Sequence, residues 1–258
     1  MTPPTNIFIV PYRDRESFKN VYINQMKWIL EDEAESYEIF FSHQNDIRPF
    51  NRGAMKNLGF WYARQKYPDH YKKMNFIFQD VDTIPGKKGL FTYETTVGVV
   101  KHYYGFNFAL GGIFSIKGSD FELLNGFPNF WGWGFEDNII NNRCKENNIT
   151  IDRTNWFKYG DYNILQFTSG PYRMVDNSAV KKQAKIHRQN GLSKITNVTF
   201  DITSMSDDNS IQMVNFSAWS IPESHENVQF RATKSLRTLR DNNSKRSSIM
   251  NSLIHHKK

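Results

Sequence analysis

The segment NFIFQDVDTIP, Asn75 to Pro85, decides the fold prediction. Its apolar run, Phe76 to Phe78, is typical of a short buried strand, and two acids, Asp80 and Asp82, follow at the strand's exit. In open α/β sheets, ligands bind outside the carboxyl ends of the strands, so acids there are candidates for holding a cation and the phosphates it neutralises. A solvated acidic turn before a proline is the alternative interpretation.

Two strand–helix units precede this segment. Predicted strands at Ile7 to Val10 and Tyr37 to Ser42 each run into a polar loop and then a helix. Ser17 is the predicted cap of the first helix, and Asn51 is that of the second, which runs through Lys66. The predicted apolar faces consist of Phe18, Val21, Tyr22, Trp28 and Ile29 in the first helix, and Ala54, Leu58, Trp61 and Tyr62 in the second. This alternation predicts a sheet with helices on its faces.

The chain after the acidic pair is less regular. Val97 to Tyr104 and Gly111 to Ile116 are predicted strands, the latter entered through a Gly pair that permits either a bend or a close backbone approach. Ser119 and Glu122 have the spacing of a capping box, and Gly126 is the predicted helix stop. The later predictions are irregular strand and loop at Ile149 to Gly170, a basic helix at Asp176 to Gln189, and paired strands at Thr196 to Thr203 and Ile211 to Trp219.

The segment FPNFWGWGFEDN, Phe127 to Asn138, has the most unusual composition in the chain. Aromatic residues that alternate with glycines suit neither a helix nor a central strand, so the tryptophans are expected to cover a sugar face or the core. Glu136 and Asp137 begin a predicted helix with Cys144 on its buried side. Acids there favour the positive end of the helix dipole, so helix stabilisation and catalysis both remain open.

Composition limits the class of protein. The 258 residues are enough for one large α/β domain, predicted over residues 1–220, and a basic tail, residues 221–258, is expected to be partly disordered or an appended helix. The net charge of +7 is concentrated in that tail, so nucleic acid is not an expected partner. The sequence shows one cysteine, no predicted membrane span and no secretory leader, and we expect a soluble protein compatible with a reducing compartment.

Six segments occur in one characteristic order. They are PYRDR at residues 11–15, FNRGAMKNLGF at 50–60, FIFQDVDTIP at 76–85, GG at 111–112, NGFPNFWGWGFED at 125–137 and NGL at 190–192. Together they resemble the beta-1,4-galactosyltransferase family, inverting glycosyltransferases, over about residues 6–219. The resemblance implies an α/β fold of the GT-A type, a Rossmann-like nucleotide-sugar transferase fold with a mixed central sheet and flanking helices, as a single catalytic domain over residues 1–220.

The resemblance also implies a reaction and its residues. A hexose or N-acetylhexosamine would move from a UDP-sugar to a hydroxyl of a glycan or glycoconjugate acceptor. Asp137 matches the general base, Glu136 its neighbour, and Asp82 the acid that binds the metal, usually Mn²⁺. Trp133 matches a mobile-loop tryptophan that closes over the donor and helps form the acceptor site with Glu136, Asp137 and Asn138. The positions that match donor contacts are Pro11, Arg13, Arg15, Phe50, Arg52, Asp80, Val81, Asp82, Ala109, Gly112 and Trp133.

The chain departs from the family at three places. No histidine lies between Ile149 and Tyr172, where the family has a metal ligand, so Gln166 is the predicted substitute and His187 the alternative if the basic helix packs differently. An amide oxygen is a weaker ligand than imidazole for Mn²⁺ but a reasonable one for Mg²⁺ or for Mn²⁺ with extra water. Ala109 replaces an aromatic residue beside the sugar's C2, which predicts room for an N-acetyl group. Asn138 replaces an acid that binds the acceptor sugar.

These departures keep other interpretations open. A related transferase could build a glycan with GalNAc, GlcNAc or glucose, and a carbohydrate-binding or scaffold protein could have kept the fold with weakened catalysis. The absence of disulfides, leader and anchor, with a composition rich in Asn, Lys and Ile, suggests a cytoplasmic enzyme of viral or microbial origin.

Overall fold

The structure, a computed structural model, describes residues 3–32, 36–167, 172–176, 190–222 and 228–232. The strands are β1 Asn6–Tyr12, β2 Tyr37–Gln44, β3 Asn75–Gln79, β4 Thr83–Pro85, β5 Val99–Gly105, β6 Ile113–Lys117, β7 Thr150–Asp152, β8 Phe157–Lys158, β9 Ile164–Gln166, β10 Tyr172–Asp176, β11 Thr196–Ser204, β12 Ile211–Ser220 and β13 Val228–Ala232. The helices are α1 Glu16–Leu30, α2 Arg52–Lys66, α3 Gly118–Leu123 and α4 Glu136–Glu146. The predicted basic helix, apart from Asp176, and with it His187, lies outside the described residues.

Nine strands form one mixed sheet in the order β11-β12-β2-β1-β3-β6-β5-β7, with β8 paired to β5. Strand β1 runs parallel to both β2 and β3, whereas β6 runs antiparallel to β3 and β5. The carboxyl ends of β1, β2 and β3 therefore meet at one edge, which is where the polar loops leave the sheet. This arrangement confirms the predicted α/β fold with a mixed central sheet.

Burial on both faces of the sheet explains the apolar run of β3. Phe76 and Phe78 pack in the core cluster that contains α2, and Ile77 packs in the cluster that contains α1. Fully burying such a side chain contributes roughly 1.5–3 kcal/mol, so a strand covered on both faces carries large apolar residues at successive positions.

Two predicted helix starts are wrong, and one is confirmed. Helix α1 begins at Glu16, one residue before Ser17, and its cap residue Arg15 makes no side-chain cap bond. Helix α3 begins at Gly118, so Ser119 lies inside the helix with its hydroxyl buried and without a partner among the described residues. Asn51 caps α2 as predicted, because its side-chain oxygen accepts a 2.9 Å bond from the Ala54 amide.

The buried face of α1 also differs from the prediction. Val21 and Trp28 are exposed, although both were assigned to the apolar face. Lys19 is buried instead, because its aliphatic stem packs inward while its ammonium group reaches Glu16 at 2.8 Å. The face that does pack consists of Lys19, Tyr22, Ile23, Met26, Ile29 and Leu30.

The C-terminal part contains the predicted strand pair. Strands β11 and β12 are antiparallel, joined by the predicted polar turn. Within the tail, the described residues Val228–Ala232 form a strand against Tyr172–Asp176, where disorder or a helix was expected. The division of the chain at residue 220 stays a prediction. No helix among the described residues has both the length and the apolar character needed to cross a bilayer.

Candidate active site

Arg52, the first residue of α2, joins acids from two distant parts of the sequence. Its guanidinium binds Asp80 through Nε at 2.9 Å and Nη2 at 2.6 Å. Its Nη1 lies 2.7 Å from Glu136 Oε1 and 2.9 Å from Asp137 Oδ1. Burial disfavours the charged guanidinium, but the carboxylates of Asp137, Asp80 and Glu136 outweigh that cost and raise the pKa of Arg52 well above its usual value.

Lys56 lies one turn further along α2 and faces the same acids. Its Nζ is 3.4 Å from Asp137 Oδ1 and 3.8 Å from Asp80 Oδ1, and it lies 4.5 Å from the centre of the Phe127 ring. Only 1% of its side chain is exposed. We call Arg52, Lys56, Asp80, Glu136 and Asp137 the acid cluster. Sequence reasoning missed Lys56, although a charge four residues after Arg52 inside a buried helical stripe was a usable signal.

The Gly111 backbone packs against the Asp137 carboxylate, on the side away from α2. A Cβ atom added to Gly111 would lie 2.3 Å from Asp137 Oδ2, so a side chain at this position would collide with the carboxylate. The Leu110 amide also donates to the Asp137 carbonyl at 2.8 Å. Gly112 has φ +73° and its carbonyl accepts from the Asp80 amide at 3.4 Å. Of the two interpretations of the Gly pair, the structure supports close backbone approach.

A network of buried amides holds α2 against the segment that leads to Asp137. Asn51 Nδ2 donates to the Asn129 carbonyl at 3.0 Å, and Asn57 Nδ2 donates to the Phe127 carbonyl at 2.7 Å. Asn190 Oδ1 accepts from the Asn129 amide at 2.9 Å. Satisfied amide bonds of this kind fix the relative positions of the segments they join, so Arg52 and the acids of α4 meet in a defined geometry.

The two tryptophans of the aromatic segment have different surroundings. Trp131 is 3% exposed and stacks on Trp219, with ring centres 5.2 Å apart. Trp133 is 39% exposed and lies three residues before Glu136, whose Oε2 accepts from the Gly134 amide at 3.1 Å. Trp131 therefore belongs to the core. Trp133 exposes an aromatic surface and is close in sequence to Glu136 and Asp137 of the acid cluster.

Asp82 and Gln166 are brought to neighbouring positions by pairing of β4 with β9. Thr83 pairs with Gln166, and the Phe167 amide donates to the Asp82 carbonyl at 2.9 Å. The Asp82 carboxylate lies 3.4 Å from Arg15 Nη1. Gln166 Oε1 accepts a 2.5 Å bond from the Tyr104 hydroxyl. We call Asp82, Gln166, Arg15 and Tyr104 the rim site.

The oxygen donors of the rim site suit a hard divalent cation. Asp82 provides a carboxylate, and the amide oxygen of Gln166 has a second lone pair besides the one that Tyr104 occupies. Within the described part of the chain, no group of three His, Cys, Asp or Glu side chains is arranged to hold a metal. A cation here therefore needs ligands from the donor substrate or water to complete its shell.

The remaining predicted donor and acceptor residues lie around these two groups. Arg13 directs its guanidinium to the Arg48 carbonyl and to Asp14. Asn138 Nδ2 donates to the Phe108 carbonyl at 3.3 Å. Pro11, Val81 and Ala109 are buried, and Phe50 is partly buried against the core. Their contacts with a ligand stay predictions.

His102 on β5 lies behind the acid cluster and the rim site. The sequence interpretation did not include it. Its Nδ1 accepts from Arg153 Nε at 2.9 Å, and because arginine only donates, the ring carries its proton on Nε2. That Nε2 lies 2.9 Å from the Tyr104 carbonyl and 3.0 Å from the Gly111 carbonyl. Burial and the Arg153 charge lower the pKa of His102 to about 4, so the ring is neutral at neutral pH.

The sheet, the acids at its carboxyl edge and the structural neighbours define a GT-A fold. Two solved structures of Drosophila beta-1,4-galactosyltransferase 7 each align with a TM-score of 0.64 over 82% of this chain and 93% of theirs, at 21% and 22% identity. One is a variant in complex with manganese, UDP-Gal and xylobiose, and the other is a catalytic domain with xylobiose. These likenesses show the fold.

Sequence comparison identifies the family. Residues 3–93 match the N-terminal region of glycosyl transferase group 7, and residues 94–166 match the N-terminal domain of galactosyltransferase. The chain belongs to the beta-1,4-galactosyltransferase family. It is 30% identical to beta-1,4-galactosyltransferase 1 of Mus musculus over 60% of this chain, and 29% identical to xylosylprotein 4-beta-galactosyltransferase of Caenorhabditis elegans over 67%. The matched region spans 40% and 61% of those relatives' lengths.

Proposed function

We propose that the chain is a metal-dependent inverting glycosyltransferase that moves a hexose or N-acetylhexosamine from a UDP-sugar to a hydroxyl of a glycan acceptor. The observation that carries the proposal is the acid cluster. Arg52 ties Asp80, at the exit of a sheet strand, to Asp137, at the start of a helix and four residues after the exposed Trp133. A donor-side acid and an acceptor-side acid are thereby held on one guanidinium.

Inverting transfer needs one base and one departing group. Asp137 takes the proton of the acceptor hydroxyl, and the acceptor oxygen forms a bond to the anomeric carbon. The bond from that carbon to the diphosphate oxygen breaks, and its electron pair leaves with UDP. Because attack comes from the face opposite UDP, the configuration inverts. Asp137 is well placed for this role, since its carboxylate is held between α2 and the Gly111 backbone.

The rim site would hold the divalent cation. Asp82, with Gln166 beside it, would bind Mn²⁺ or Mg²⁺, which supplies Lewis-acid stabilisation of the negative charge that develops on UDP. Support comes from the oxygen donors of these side chains and from the manganese complex of the Drosophila neighbour. Arg15, 3.4 Å from Asp82, lies where it can also meet a phosphate oxygen.

The donor is proposed to include N-acetylhexosamines. Ala109 has the smallest side chain that still carries a Cβ atom, and it immediately precedes Leu110, whose amide bonds the base residue. Galactose, GalNAc and GlcNAc donors therefore belong in the same assay. A glycan acceptor is supported by the exposed face of Trp133 and by the xylobiose bound in the Drosophila structures.

An array of UDP-sugars and acceptors tests the proposal. Purified protein is incubated with UDP-Gal, UDP-GalNAc or UDP-GlcNAc, each with a panel of mono- and oligosaccharides, and UDP release and product mass are measured. We expect acceptor-dependent UDP release that requires Mn²⁺ or Mg²⁺ and stops on chelation, with a β-linked product from an α-linked donor. Sugar binding without UDP release from any donor would instead support the scaffold interpretation. Turnover of UDP-Gal alone would overturn the proposed N-acetylhexosamine range.

A further inference from the structure

Lys56 is the second cation of the acid cluster, and the function proposed above gives it no role. Its side chain is buried, yet its ammonium group lies 3.4 Å from Asp137 and 3.8 Å from Asp80. Burying an ammonium group is costly, and a buried ion pair is often no more stable than apolar side chains of similar volume. The Phe127 ring centre lies 4.5 Å from Lys56 Nζ, a cation–π contact that offsets only part of this cost. Stability alone therefore does not explain a lysine here.

The charge balance of the cluster gives a reason for it. Among the described residues, the cations within ion-pair distance of Asp137 are Arg52 and Lys56. Arg52 is also bound to Asp80 and Glu136, so Lys56 adds a second positive charge beside the base. Without Lys56, repulsion from the neighbouring Glu136 carboxylate would oppose the charged form of Asp137 more strongly.

The groups that face Asp137 come from four elements. Arg52 and Lys56 belong to α2, Asp80 follows β3, and Glu136 precedes Asp137 on α4. His102 on β5 lies behind Gly111, at 3.0 Å from its carbonyl oxygen. Arg52 divides its donors among three carboxylates, whereas Lys56 directs its single ammonium group to Asp137 Oδ1 and Asp80 Oδ1.

We propose that Lys56 is a positioning residue for the base: its ammonium group orients the Asp137 carboxylate and balances its charge until Asp137 accepts the proton of the acceptor hydroxyl. The inference rests on the proposed function and deepens it. Lys56 touches neither reactant, and it acts through Asp137. It also connects the base to Asp80 on the donor side, so donor binding at Asp80 has a direct route to the base.

Replacement of Lys56 by methionine tests the idea, because methionine keeps much of the volume and removes the charge. We measure UDP release by the full chain with its best donor and acceptor across about pH 5.5 to 9. In the Lys56→Met variant we expect turnover at neutral pH to fall about tenfold, and the rise in rate with pH to move upward by about one pH unit, as loss of an opposite charge at this distance predicts. The donor KM should change little.

Two companion variants make the result specific. Lys56→Arg keeps the charge, so it should keep the wild-type position of the pH–rate profile even if its rate differs. Lys66→Met removes a lysine from the same helix that pairs with Glu38, and it should leave rate and profile unchanged. The position of the profile does not depend on the fraction of protein that is folded, so a loss of yield does not obscure it.

The possible outcomes separate the two proposals. An unchanged pH profile in Lys56→Met, or a rate lost equally at every pH, would overturn the role of Lys56, because only charge balance predicts the displacement. Absence of UDP release by the wild-type protein with every donor would overturn the proposed function, and this inference with it. An upward displacement of the pH–rate profile in Lys56→Met, together with a wild-type profile in Lys56→Arg, supports the positioning role of Lys56.

Discussion

Asp80 and Asp82 are separated in sequence by one residue, Val81, and have different electrostatic surroundings. Their side chains are about equally exposed, at 22% and 18%, so burial does not distinguish them. Their partners do. Asp80 is bound by Arg52 at 2.6 Å and approached by buried Lys56, whereas Asp82 faces the more exposed Arg15 at 3.4 Å.

This difference assigns separate tasks to the two acids. In the acid cluster the protein supplies its own buried cations, which fix the carboxylates in place. At the rim site, Asp82 and Gln166 place oxygen donors close to the more solvated Arg15. These oxygen donors favour an external divalent cation at Asp82 rather than at Asp80.

The largest effect is expected at the base. Asp137→Asn keeps the size of the side chain and removes its ability to take a proton, so UDP release with an acceptor should fall about a thousandfold. UDP binding, measured by calorimetry, should remain within a few-fold because the rim site is intact. The matched control is Asp201→Asn, an exposed position on β11, which should turn over normally. Normal turnover by Asp137→Asn would remove Asp137 from the mechanism.

Substitution of the two neighbouring acids tests the comparison directly. Asp82→Asn should reduce turnover about a hundredfold and raise the Mn²⁺ concentration needed for half-maximal rate, because a carboxylate ligand is lost. Asp80→Asn should lower the rate while the Mn²⁺ requirement stays close to that of the wild type. A metal titration of both variants checks this. Equal changes in Mn²⁺ requirement would show that the two acids share the cation.

The third prediction concerns the ligand beside Asp82. Gln166→His introduces an imidazole at the pairing partner of Thr83, and we expect Mn²⁺ to bind about tenfold more tightly, with a greater preference over Mg²⁺. Calorimetric titration of Mn²⁺ and Mg²⁺ in the presence of UDP measures the change. Tyr104→Phe is the control for the lost hydroxyl bond. If Gln166→His leaves both affinities unchanged, position 166 does not touch the cation.

Local patterns in the sequence predicted much of the fold. Alternation of strands and helices, the Asn51 cap and the strand pair β11–β12 depend on neighbouring residues, and all are confirmed. The wrong caps, Ser17 and Ser119, show the limit of such patterns, because a residue with a capping side chain can lie inside the first turn when tertiary packing sets where the helix starts.

The candidate site was predicted less completely, for a physical reason. Asp80, Arg52 and Asp137 stand in motifs, and the structure brings them together, although their roles toward a ligand stay predictions. Lys56 also stands in a motif, and its charge inside a buried helical stripe was a signal, but its partners Asp80 and Asp137 come from the turn after β3 and from α4. Which acids Lys56 meets depends on how these distant segments pack together, and one sequence without its fold does not show that.

Among these predictions, substitution of His102 is expected to have the smallest effect on activity at neutral pH. Its main effect is expected on stability. His102 lies between the acid cluster and the rim site. Its Nε2–H reaches the carbonyls of Tyr104, a rim-site residue, and of Gly111, which borders Asp137. The folded-state pKa of about 4 lies below the usual value near 6.5, so the unfolded chain binds more protons between these values. This contribution to stability is complete above about pH 6.5 and is lost as pH falls towards 4, for a total of about 3 kcal/mol.

Urea unfolding of the wild type and of His102→Gln at about pH 7.5 and pH 4.5 measures that contribution. Glutamine can accept from Arg153 and donate to one carbonyl, and it does not titrate, so the variant should lose less stability on acidification than the wild type. Other groups lose stability at low pH in both proteins, so the informative quantity is the difference between the two losses. The control His70→Gln, at an exposed position, should match the wild type. If His102→Gln and the wild type lose the same unfolding free energy between about pH 7.5 and about pH 4.5, protonation of His102 does not destabilise the fold, and the prediction is wrong.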